Sequence, residues 1–430
     1  MNIKKIYSLF KKHPIISTDT RSIKQSSIFF ALSGENFDGN KFAIDALEKG
    51  AAYCIIDNPE YELDERTILV NDSLKTLQQL ATYHRQQLNL PIIGITGTNG
   101  KTTSKELIKE VLSKKYRVKA TAGNFNNHIG VPLTILTIDN DDEIAVIEMG
   151  TNHIGEINTL CKIADPDYGI ITNIGIAHLE GFINYEGVKK AKNELYDHIR
   201  QVKGKIILNL DDSELASLAD GIDNMSFGKD FHADIHVLKV AANPFVTLQW
   251  NSFNDNNAIN NIESNLVGIY NSNNIMTAIS TGVLFGVPEK QINEAINNYT
   301  PSNMRSQYIT TDKNKVLIDA YNANPTSMKA ALQNFAAMET ANKCIIIGEM
   351  KELGMASKQE HNNILQLINS MNFEKIFLVG ESFKPFSSKY KVFHNTTELS
   401  LYLDTNPLIN KTVLLKGSRG NRLEILLDKI

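Results

Sequence analysis

The stretch GITGTNGKTT, residues 94–103, sets the architecture of the chain around it. Its first residues complete the apolar run PIIGIT, which is typical of a strand buried on both faces. Its last residues lead into KELIKEVLSKKY, which has the period of an amphipathic helix. A strand, a glycine-bearing turn and Lys-Thr at a helix start together indicate a phosphate-binding loop. The common pattern G-x-x-x-x-G-K-S/T requires glycine where this chain has Ile95, so the glycine spacing differs.

The residues of this loop predict nucleotide binding. Glycines let backbone N–H groups approach phosphate oxygens, and the helix N-terminus adds partial positive charge. Lys101 can reach the β- and γ-phosphates, and the Thr102 hydroxyl can bind Mg²⁺. The alternative is a βα turn of glycines beside a surface lysine. The predicted nucleotide-binding residues are Gly97, Thr98, Asn99, Gly100, Lys101, Thr102 and Thr103.

The pattern of apolar runs divides the chain into three regions. From Pro91 onward, apolar runs alternate with helical stretches, which predicts βαβ units and a parallel sheet, and a second such pattern begins after Pro301. We predict an α/β fold with three domains. These are a small α/β N-terminal domain (1–90), a central P-loop-type parallel-sheet domain (91–300) and a Rossmann-like α/β C-terminal domain (301–430).

Residues 226–265 interrupt the central pattern. They are polar and rich in asparagine around one apolar stretch, FVTLQW. We predict an irregular, β-rich excursion here.

The composition excludes several classes of protein. A net charge of -4 with scattered positive charges argues against nucleic acid as the main partner. Cys54, Cys161 and Cys344 form no metal or redox spacing, so we expect buried thiols in a reducing compartment. No apolar run resembles a signal peptide or reaches membrane-spanning length, so we expect no membrane contact and a cytoplasmic location.

Two residues follow consecutive predicted strands at the edge where ligands collect in open α/β sheets. Glu148 ends the run EIAVIEM, and His178 follows YGIITNI. A carboxylate beside a phosphate loop can hold Mg²⁺. Each residue taken singly is also consistent with a solvated strand end.

Several segments together resemble the Mur ligase family, ATP-dependent amide-forming enzymes of peptidoglycan precursor synthesis. In the central region they are GTNGKTT (97–103), GNFNNHIGVPLTIL (123–136), EMGTNHIGEI (148–157) and NIGIAHLEGF (173–182). Other segments are similar to family members that join D-alanyl-D-alanine to a UDP-N-acetylmuramoyl tripeptide: STDTRSIKQSSIFFALSGENFDGNKF (17–42), DAYNANPTSMKAAL (319–332), GEMKELGMASKQEH (348–361) and LLKGSRG (414–420).

This chain departs from the family pattern at two places. The family usually has Asp-Ser-Arg where this chain has Asp19, Thr20 and Arg21, and the asparagine-rich stretch 251–261 has no family counterpart. The first change keeps a hydroxyl group.

The resemblance implies ATP and one or two Mg²⁺ ions at a shared catalytic site. The implied metal-binding residues are Thr102, Glu148, His178 and Lys192, and the implied catalytic residues are Lys101, Glu148, His178 and Lys192. Lys192 is the position that the family carbamylates; a carbamate is an anion and can bind a metal that an ammonium repels. The alternative for Lys192 is an ordinary helix-surface lysine.

The resemblance assigns further residues to the nucleotide and to the two substrates. Asn271 and Asn274 would contact adenine, or cap a helix, and Arg305 and Asp319 would contact the rest of the nucleotide or its Mg²⁺. The implied substrate-binding residues are Thr20, Arg21, Ser33 and Gly34 for the UDP part, with Asn126, Asn127, Asn322, Asn324, Lys416 and Ser418 elsewhere. Glu349, Glu352, His361 and Arg419 are weaker candidates for the dipeptide or the phosphate.

The resemblance also implies two small-molecule partners, the UDP-N-acetylmuramoyl tripeptide and D-alanyl-D-alanine, and we expect a monomer. The C-terminal domain would close over ATP about a hinge at 299–303. Two other functions remain open. One is a sister ligase for another amino acid in cell-wall or folate metabolism, and the other is a non-catalytic nucleotide-binding scaffold or sensor.

Overall fold

The computed structural model describes residues 2–230, 232–252 and 258–430, which form three α/β units, each with its own main sheet. In chain order, the N-terminal unit contains α1 (Ile3–Lys12), β1 (Ile16–Ser17), β2 (Ile28–Phe30), β3 (Ser33–Gly34), β4 (Phe37–Asp38), α2 (Ala43–Glu48), β5 (Tyr53–Ile56), β6 (Thr67–Leu69) and α3 (Ser73–Arg85). Its four-stranded parallel sheet has the order β1-β2-β5-β6, and β3 and β4 form a separate antiparallel ribbon.

The central unit is built on a nine-stranded sheet. Its elements are β7 (Ile92–Thr96), α4 (Lys101–Leu112), β8 (Val118–Ala120), α5 (Gly130–Ile135), β9 (Ile144–Glu148), α6 (Glu156–Ala164), β10 (Tyr168–Ile171), α7 (Leu179–Phe182), α8 (Tyr185–Val202), β11 (Lys205–Asn209), α9 (Ser213–Leu218), β12 (Asp223–Gly228), β13 (Ile235–Ala242), β14 (Phe245–Ser252), β15 (Asn260–Val267), α10 (Asn271–Leu284) and α11 (Glu289–Asn298). The strand order is β15-β14-β13-β12-β11-β10-β7-β9-β8. Strand β7 lies between β10 and β9, so three strand ends meet beside the loop that follows it.

The prediction of an irregular excursion at residues 226–265 is half correct. The segment is β-rich, but β14 and β15 are regular antiparallel strands that extend the central sheet, with local register shifts. Burial alternates along β14, where Val246, Leu248 and Trp250 point into the core. This alternation is the period-2 signature of a strand with one buried face. Residues 253–257 of the asparagine-rich stretch lie outside the described residues.

The C-terminal unit is a six-stranded sheet with helices on both faces. Its elements are β16 (Gln307–Thr310), β17 (Lys315–Asp319), α12 (Pro325–Ala337), β18 (Lys343–Gly348), α13 (Ser357–Asn369), β19 (Lys375–Val379), β20 (Lys391–Phe393), α14 (Thr396–Thr405) and β21 (Thr412–Lys416). The order is β16-β17-β21-β18-β19-β20, and only β16 runs antiparallel to its neighbour. The predicted three-domain α/β fold is therefore confirmed, while the boundaries at 90 and 300 stay predictions.

The N-terminal unit joins the central one through a continuous apolar core. Helix α3 packs against α5 and α6, and one cluster of buried side chains runs from Phe10 and Leu77 to Ile135 and Leu160. Arg85, at the end of α3, is buried and donates from Nε to the carbonyl of Ala164 (3.0 Å). The join between the N-terminal and central units is thus apolar in its interior, and the hydrogen bonds of the Arg85 guanidinium stabilise it at one side.

The three cysteines are buried and free, as predicted. Burial raises the pKa of Cys54 and Cys344 to about 12, so both thiols are in their unreactive protonated form near neutral pH. Among the described residues, no helix is long and apolar enough to cross a membrane.

Candidate active site

The loop after β7 has the backbone that its glycines predict. Gly97 has φ +140°, and a Cβ there would lie 2.0 Å from Oγ1 of Thr172. Gly100 has φ +81° and precedes α4 with no side chain capping the helix. The first N–H groups of α4 are therefore available to an anion. Glycine is therefore needed at both positions, because other residues there would be strained.

Lys101 lies at the start of α4 with its ammonium folded back onto the loop. Its Nζ donates to the carbonyl oxygens of Gly97 (2.6 Å) and Thr98 (3.1 Å). Burial lowers the pKa of Lys101 to about 8, although the nearby Glu148 carboxylate raises it, and the Arg305 charge lowers it further. The cation is therefore poorly solvated, and an anion that binds beside it would stabilise its charged form.

Glu148, at the end of β9, fits the predicted role of a metal ligand. Its Oε1 accepts from Nδ2 of Asn126 (2.8 Å), while its Oε2 is buried with no hydrogen-bond partner among the described residues. Its backbone N–H donates to Oγ1 of Thr121 (2.9 Å), and Thr102 is buried in the same cavity wall. A buried carboxylate oxygen without a donor is costly unless a cation occupies the site, and a hydroxyl nearby suits Mg²⁺.

His178 is paired with a residue of the C-terminal unit. Its Nδ1 lies 2.6 Å from Oε2 of Glu352, and this contact lowers the pKa of the Glu352 carboxyl. In metal sites a carboxylate on one imidazole nitrogen orients the other nitrogen towards the ion. The pair therefore both links two domains and fits the predicted role of His178.

Lys192, on α8, is buried rather than on the helix surface, with 2% of its area exposed. Burial lowers the pKa of Lys192 well below its ordinary value, the Lys101 charge lowers it further, and Glu156 and Glu194 oppose the shift. The surface-lysine alternative is therefore wrong for this residue. A lowered pKa increases the fraction of neutral amine, which is the species that reacts with carbon dioxide.

The two predicted adenine contacts form a buried network within the protein. Nδ2 of Asn274 donates to Oδ1 of Asn271 (2.7 Å), and Ser104 donates to Oδ1 of Asn274 (3.0 Å). Nδ2 of Asn271 donates to the carbonyl of Val267 (2.8 Å). The network fixes the start of α10 beside the loop, and the adenine role stays a prediction.

One cavity of about 1130 Å³ lies between the central and C-terminal units. On the C-terminal side, Nζ of Lys416 donates to Oδ2 of Asp319 (2.7 Å) and to the carbonyl of Asn322 (2.9 Å). Nδ2 of Asn324 crosses to Oδ1 of Asn99 in the loop (2.8 Å). The predicted residues that line it are Thr98, Asn99, Gly100, Lys101, Thr102, Thr103, Asn126, Asn127, Glu148, His178, Asn271, Asn274, Arg305, Asp319, Asn322, Asn324, Glu352, Lys416 and Arg419.

Comparisons with known proteins agree with this arrangement. Three family profiles match the chain: the Mur ligase family catalytic domain at residues 13–85, the Mur ligase middle domain at 95–282, and the Mur ligase glutamate ligase domain at 304–419. A relative from Bacillus subtilis, UDP-N-acetylmuramoyl-tripeptide–D-alanyl-D-alanine ligase, is 35% identical over 423 residues, which cover 95% of this chain and 91% of the relative. The chain belongs to the Mur ligase family.

Solved structures of family members have the same fold as this Mur ligase. A crystal structure of MurF from Acinetobacter baumannii superposes with a TM-score of 0.86 at 30% identity and covers 96% of this chain and 92% of that one. A crystal structure of MurF ligase from Thermotoga maritima in complex with ADP has a TM-score of 0.83 at 26% identity, with 96% of each chain covered.

Some predicted site residues of this Mur ligase lie away from the cavity. The four predicted UDP contacts are in the N-terminal unit: Thr20, Arg21, Ser33 and Gly34. Gly97 and Lys192 are absent from the cavity walls, and so is Ser418, whose Oγ accepts from the backbone N–H of Lys351 (3.1 Å). Their roles stay predictions.

Three other predicted residues make structural contacts. Oδ1 of Asn127 accepts from the N–H of Gly130 and so positions α5. Nε2 of His361 accepts from the N–H of Met350, and Glu349 accepts from the Ser382 hydroxyl (2.7 Å). The bonds of His361 and Glu349 lie at the edge of the C-terminal sheet, and in this arrangement neither residue lines the cavity.

Sequence reasoning missed residues that position the Mur ligase loop. Asn173 accepts from the N–H of Asn99 and donates to its carbonyl, which fixes the loop at its middle. Lys105 is fully buried on α4, and its Nζ donates to the carbonyl of Thr121, the residue that holds the Glu148 backbone. The sequence did contain a signal for Lys105, because a lysine on the apolar face of a predicted helix is unusual.

Proposed function

We propose that this chain is an ATP-dependent ligase that joins D-alanyl-D-alanine to the terminal carboxylate of a UDP-N-acetylmuramoyl tripeptide, with release of ADP and phosphate. The observation that carries the proposal is the single cavity in which the phosphate loop, a carboxylate oxygen without a donor and the cations of the C-terminal unit meet. The names of the family relatives supply the substrates.

The chemistry requires activation of the carboxylate, because an oxide is a very poor leaving group. A carboxylate oxygen attacks the γ-phosphorus of ATP, the bond to ADP breaks, and an acyl phosphate forms. The amine of the dipeptide then attacks the carbonyl carbon, phosphate leaves, and the amine nitrogen gives up a proton. The protein's contribution is to position these groups and to stabilise their charge.

ATP and a carboxylate are both anions, so electrostatic repulsion opposes bringing them together. Lys101 and Arg305 line the cavity and provide positive charge at the phosphates. Mg²⁺, when bound, would neutralise phosphate charge and polarise the phosphoryl group. Thr102 and Glu148 would hold it, with His178 at a second ion. Because Lys101 is poorly solvated, the phosphates replace water as the partner of its charge.

Lys192 is proposed to carry a carbamate. In its neutral form, the amine can attack carbon dioxide and lose one proton to solvent, and the carbamate product is an anion that would place a negative charge near Lys101. With ¹³C-bicarbonate, we expect a ¹³C carbamate signal in the protein. The signal should be absent from Lys192→Arg, because a guanidinium stays protonated and cannot form the adduct at neutral pH. A signal of equal intensity in both proteins would contradict the assignment.

The N-terminal unit is proposed to bind the UDP part, near Thr20, Arg21 and Ser33. Asn324 and Thr326 of the C-terminal unit contact the central one, and we propose that this arrangement is the closed state. Closure excludes water, which protects an acyl phosphate from hydrolysis. The hinge at 299–303, a monomeric state and a cytoplasmic location belong to the same proposal.

The test is to incubate the protein with ATP, Mg²⁺, a UDP-N-acetylmuramoyl tripeptide and D-alanyl-D-alanine. We expect phosphate release only with both co-substrates, and a product heavier by the dipeptide less one water in mass spectrometry. Phosphate release with another amine instead would indicate a sister ligase. No release with any acceptor, from a protein that binds ATP, would indicate a nucleotide-binding scaffold.

A further inference from the structure

Three of the four acidic groups that line the cavity have partners within the protein, and the fourth, Glu148, is the predicted Mg²⁺ ligand. Asp319 is paired with Lys416 (2.7 Å), and Glu352 with His178 (2.6 Å). Glu156 accepts from the backbone N–H of Asn152 (2.7 Å) and from the Thr151 hydroxyl (2.8 Å). These acidic groups are therefore satisfied within the protein.

Two guanidinium groups in the same walls are left without an acidic partner. In the part of the chain that the structure describes, neither Arg305 nor Arg419 forms an ion pair. Nε of Arg305 is also buried, and no residue that the structure describes forms a hydrogen bond with it. Cationic groups that face a cavity without a counter-charge indicate that the ligands of this cavity carry the missing negative charges.

Both guanidinium groups contact one aromatic ring, that of Tyr321. Cζ of Arg305 lies 3.8 Å from the ring centroid, and Cζ of Arg419 lies 5.2 Å from it. Nη1 of Arg419 is also 3.3 Å from the Tyr321 hydroxyl. An aromatic face attracts a guanidinium and restricts its orientation, so Tyr321 holds two cations in place.

The two arginines enter the cavity wall from different segments of the chain. Arg305 follows the segment that connects the central and C-terminal units, and its charge acts on Lys101 in the phosphate loop. Arg419 is exposed and follows β21 in the C-terminal unit. Lys416, at the end of the same strand, is already paired with Asp319. Arg419 is thus the available cation on the side away from the phosphates, within the described residues.

We propose that Arg419, held on the ring of Tyr321, binds the terminal carboxylate of the incoming dipeptide, while Arg305 on the same ring faces the phosphates. This assignment rests on the proposed function. An extended dipeptide spans at most about 7 Å. The two guanidinium carbons lie 3.8 and 5.2 Å from one ring centroid, so they are separated by no more than the sum of these two distances, which an extended dipeptide with a hydrogen bond at its end can span. The dipeptide amine would then reach the acyl phosphate while its carboxylate is held at Arg419.

The experiment compares D-alanyl-D-alanine with D-alanyl-D-alaninamide, which lacks the negative charge. In the wild type we expect kcat/KM to fall about 10- to 100-fold for the amide, the range of a charge-assisted hydrogen bond. Arg419→Ala should show a similar loss with the acid and no further loss with the amide. Its KM for ATP should stay within about twofold of the wild type. Activity of this variant on the amide shows that it is folded.

Variants of Tyr321 test the positioning role. Tyr321→Phe keeps the ring and should keep most of the preference for the acid, whereas Tyr321→Leu should lose it. Lys329→Ala is the matched control, since it removes an exposed cation of α12 outside the cavity, and we expect the wild-type preference.

The same data can overturn the assignment. An equal loss with acid and amide in Arg419→Ala, or a raised KM for ATP alone, would show that Arg419 does not bind the dipeptide carboxylate. A wild-type protein that ligates neither acceptor but uses another amine would contradict the proposed function itself, and with it this subsite.

Discussion

The central unit meets its two neighbours through surfaces of opposite character. Towards the N-terminal unit, α3 buries Leu77 and Leu80 in a cluster that continues into α5 and α6. Towards the C-terminal unit, the contacts near the cavity are polar, such as Asn324 to Asn99 and Thr326 to the N–H of Ile176 (3.0 Å). Among the described residues, Val267 is the only residue of the central unit that belongs to the hydrophobic clusters on the C-terminal sheet.

This difference indicates which join can open. Separating the N-terminal unit would expose a large apolar surface, at about 25 cal/mol per Å². Each polar contact on the other side contributes only about 0.5–1.5 kcal/mol, because water replaces it. We therefore expect the N-terminal and central units to move as one body, and the C-terminal unit to open for substrates to enter and products to leave.

The largest expected effect on stability comes from the apolar join. Leu77→Ala leaves a cavity in the shared core, and we expect the free energy of unfolding to fall by about 2–5 kcal/mol, measured by urea denaturation. The matched control is Leu74→Ala on the same helix, where the side chain is only half-buried. Equal losses in both variants would show that this core does not join the two units.

A change in the polar contacts between the central and C-terminal units should affect turnover more than stability. Thr326→Val removes the acceptor of the Ile176 N–H, and we expect less than about 1 kcal/mol of lost stability. Turnover should nevertheless fall several-fold, because the closed arrangement is less favoured. Thr310→Val, an exposed change on β16, should alter neither quantity. A large loss of stability with unchanged turnover in Thr326→Val would contradict the comparison.

The smallest effect is a pH dependence of the apolar join. Burial lowers the pKa of His84, which contacts the carbonyl of Ile138 through Nε2 (2.8 Å). Below pH 6.5 the unfolded chain takes up a proton that folded His84 resists, so stability falls as the pH falls, by at most about 1.4 kcal/mol per pH unit.

His84→Gln isolates this contribution, because every other titrating group is common to both proteins. We expect the wild type to lose more stability than His84→Gln between pH 6.5 and pH 5, in urea denaturation at each pH. Parallel losses would show that His84 is not held neutral.

Local features of the site could be predicted from the sequence. Gly97, Gly100 and Lys101 follow a buried strand, and Glu148 is the last residue of one. In parallel βαβ units the carboxyl ends of the strands lie at the same edge of the sheet, so these residues are brought to one place. These positions follow from local pattern and sheet topology. Asn173 and Tyr321 were not predicted, because their roles depend on contacts with loops 74 and 98 residues away in the chain.

The character of the domain joins could not be predicted either. The apolar positions of α3 indicate a buried face without naming the surface that covers it. The asparagine content near residue 260 suggested an irregular segment, yet the alternation at Val246 and Leu248 in β14 is the stronger signal of a strand. Pairing with the neighbouring strand at the edge of the sheet stabilises a regular strand there despite the polar composition.

The central claim, that the C-terminal unit opens in each turnover, can be tested by locking it closed. A Cβ on Gly175 would lie 3.4 Å from Cβ of Thr326, close to the spacing in a disulfide. The native cysteines are buried and should not interfere.

Gly175→Cys with Thr326→Cys should therefore form a cross-link on oxidation. We predict that ligation in the oxidised protein falls below about one-tenth of the reduced value and returns with dithiothreitol, while both single variants are insensitive to oxidation. A fully cross-linked protein that ligates as fast as its reduced form would contradict the account.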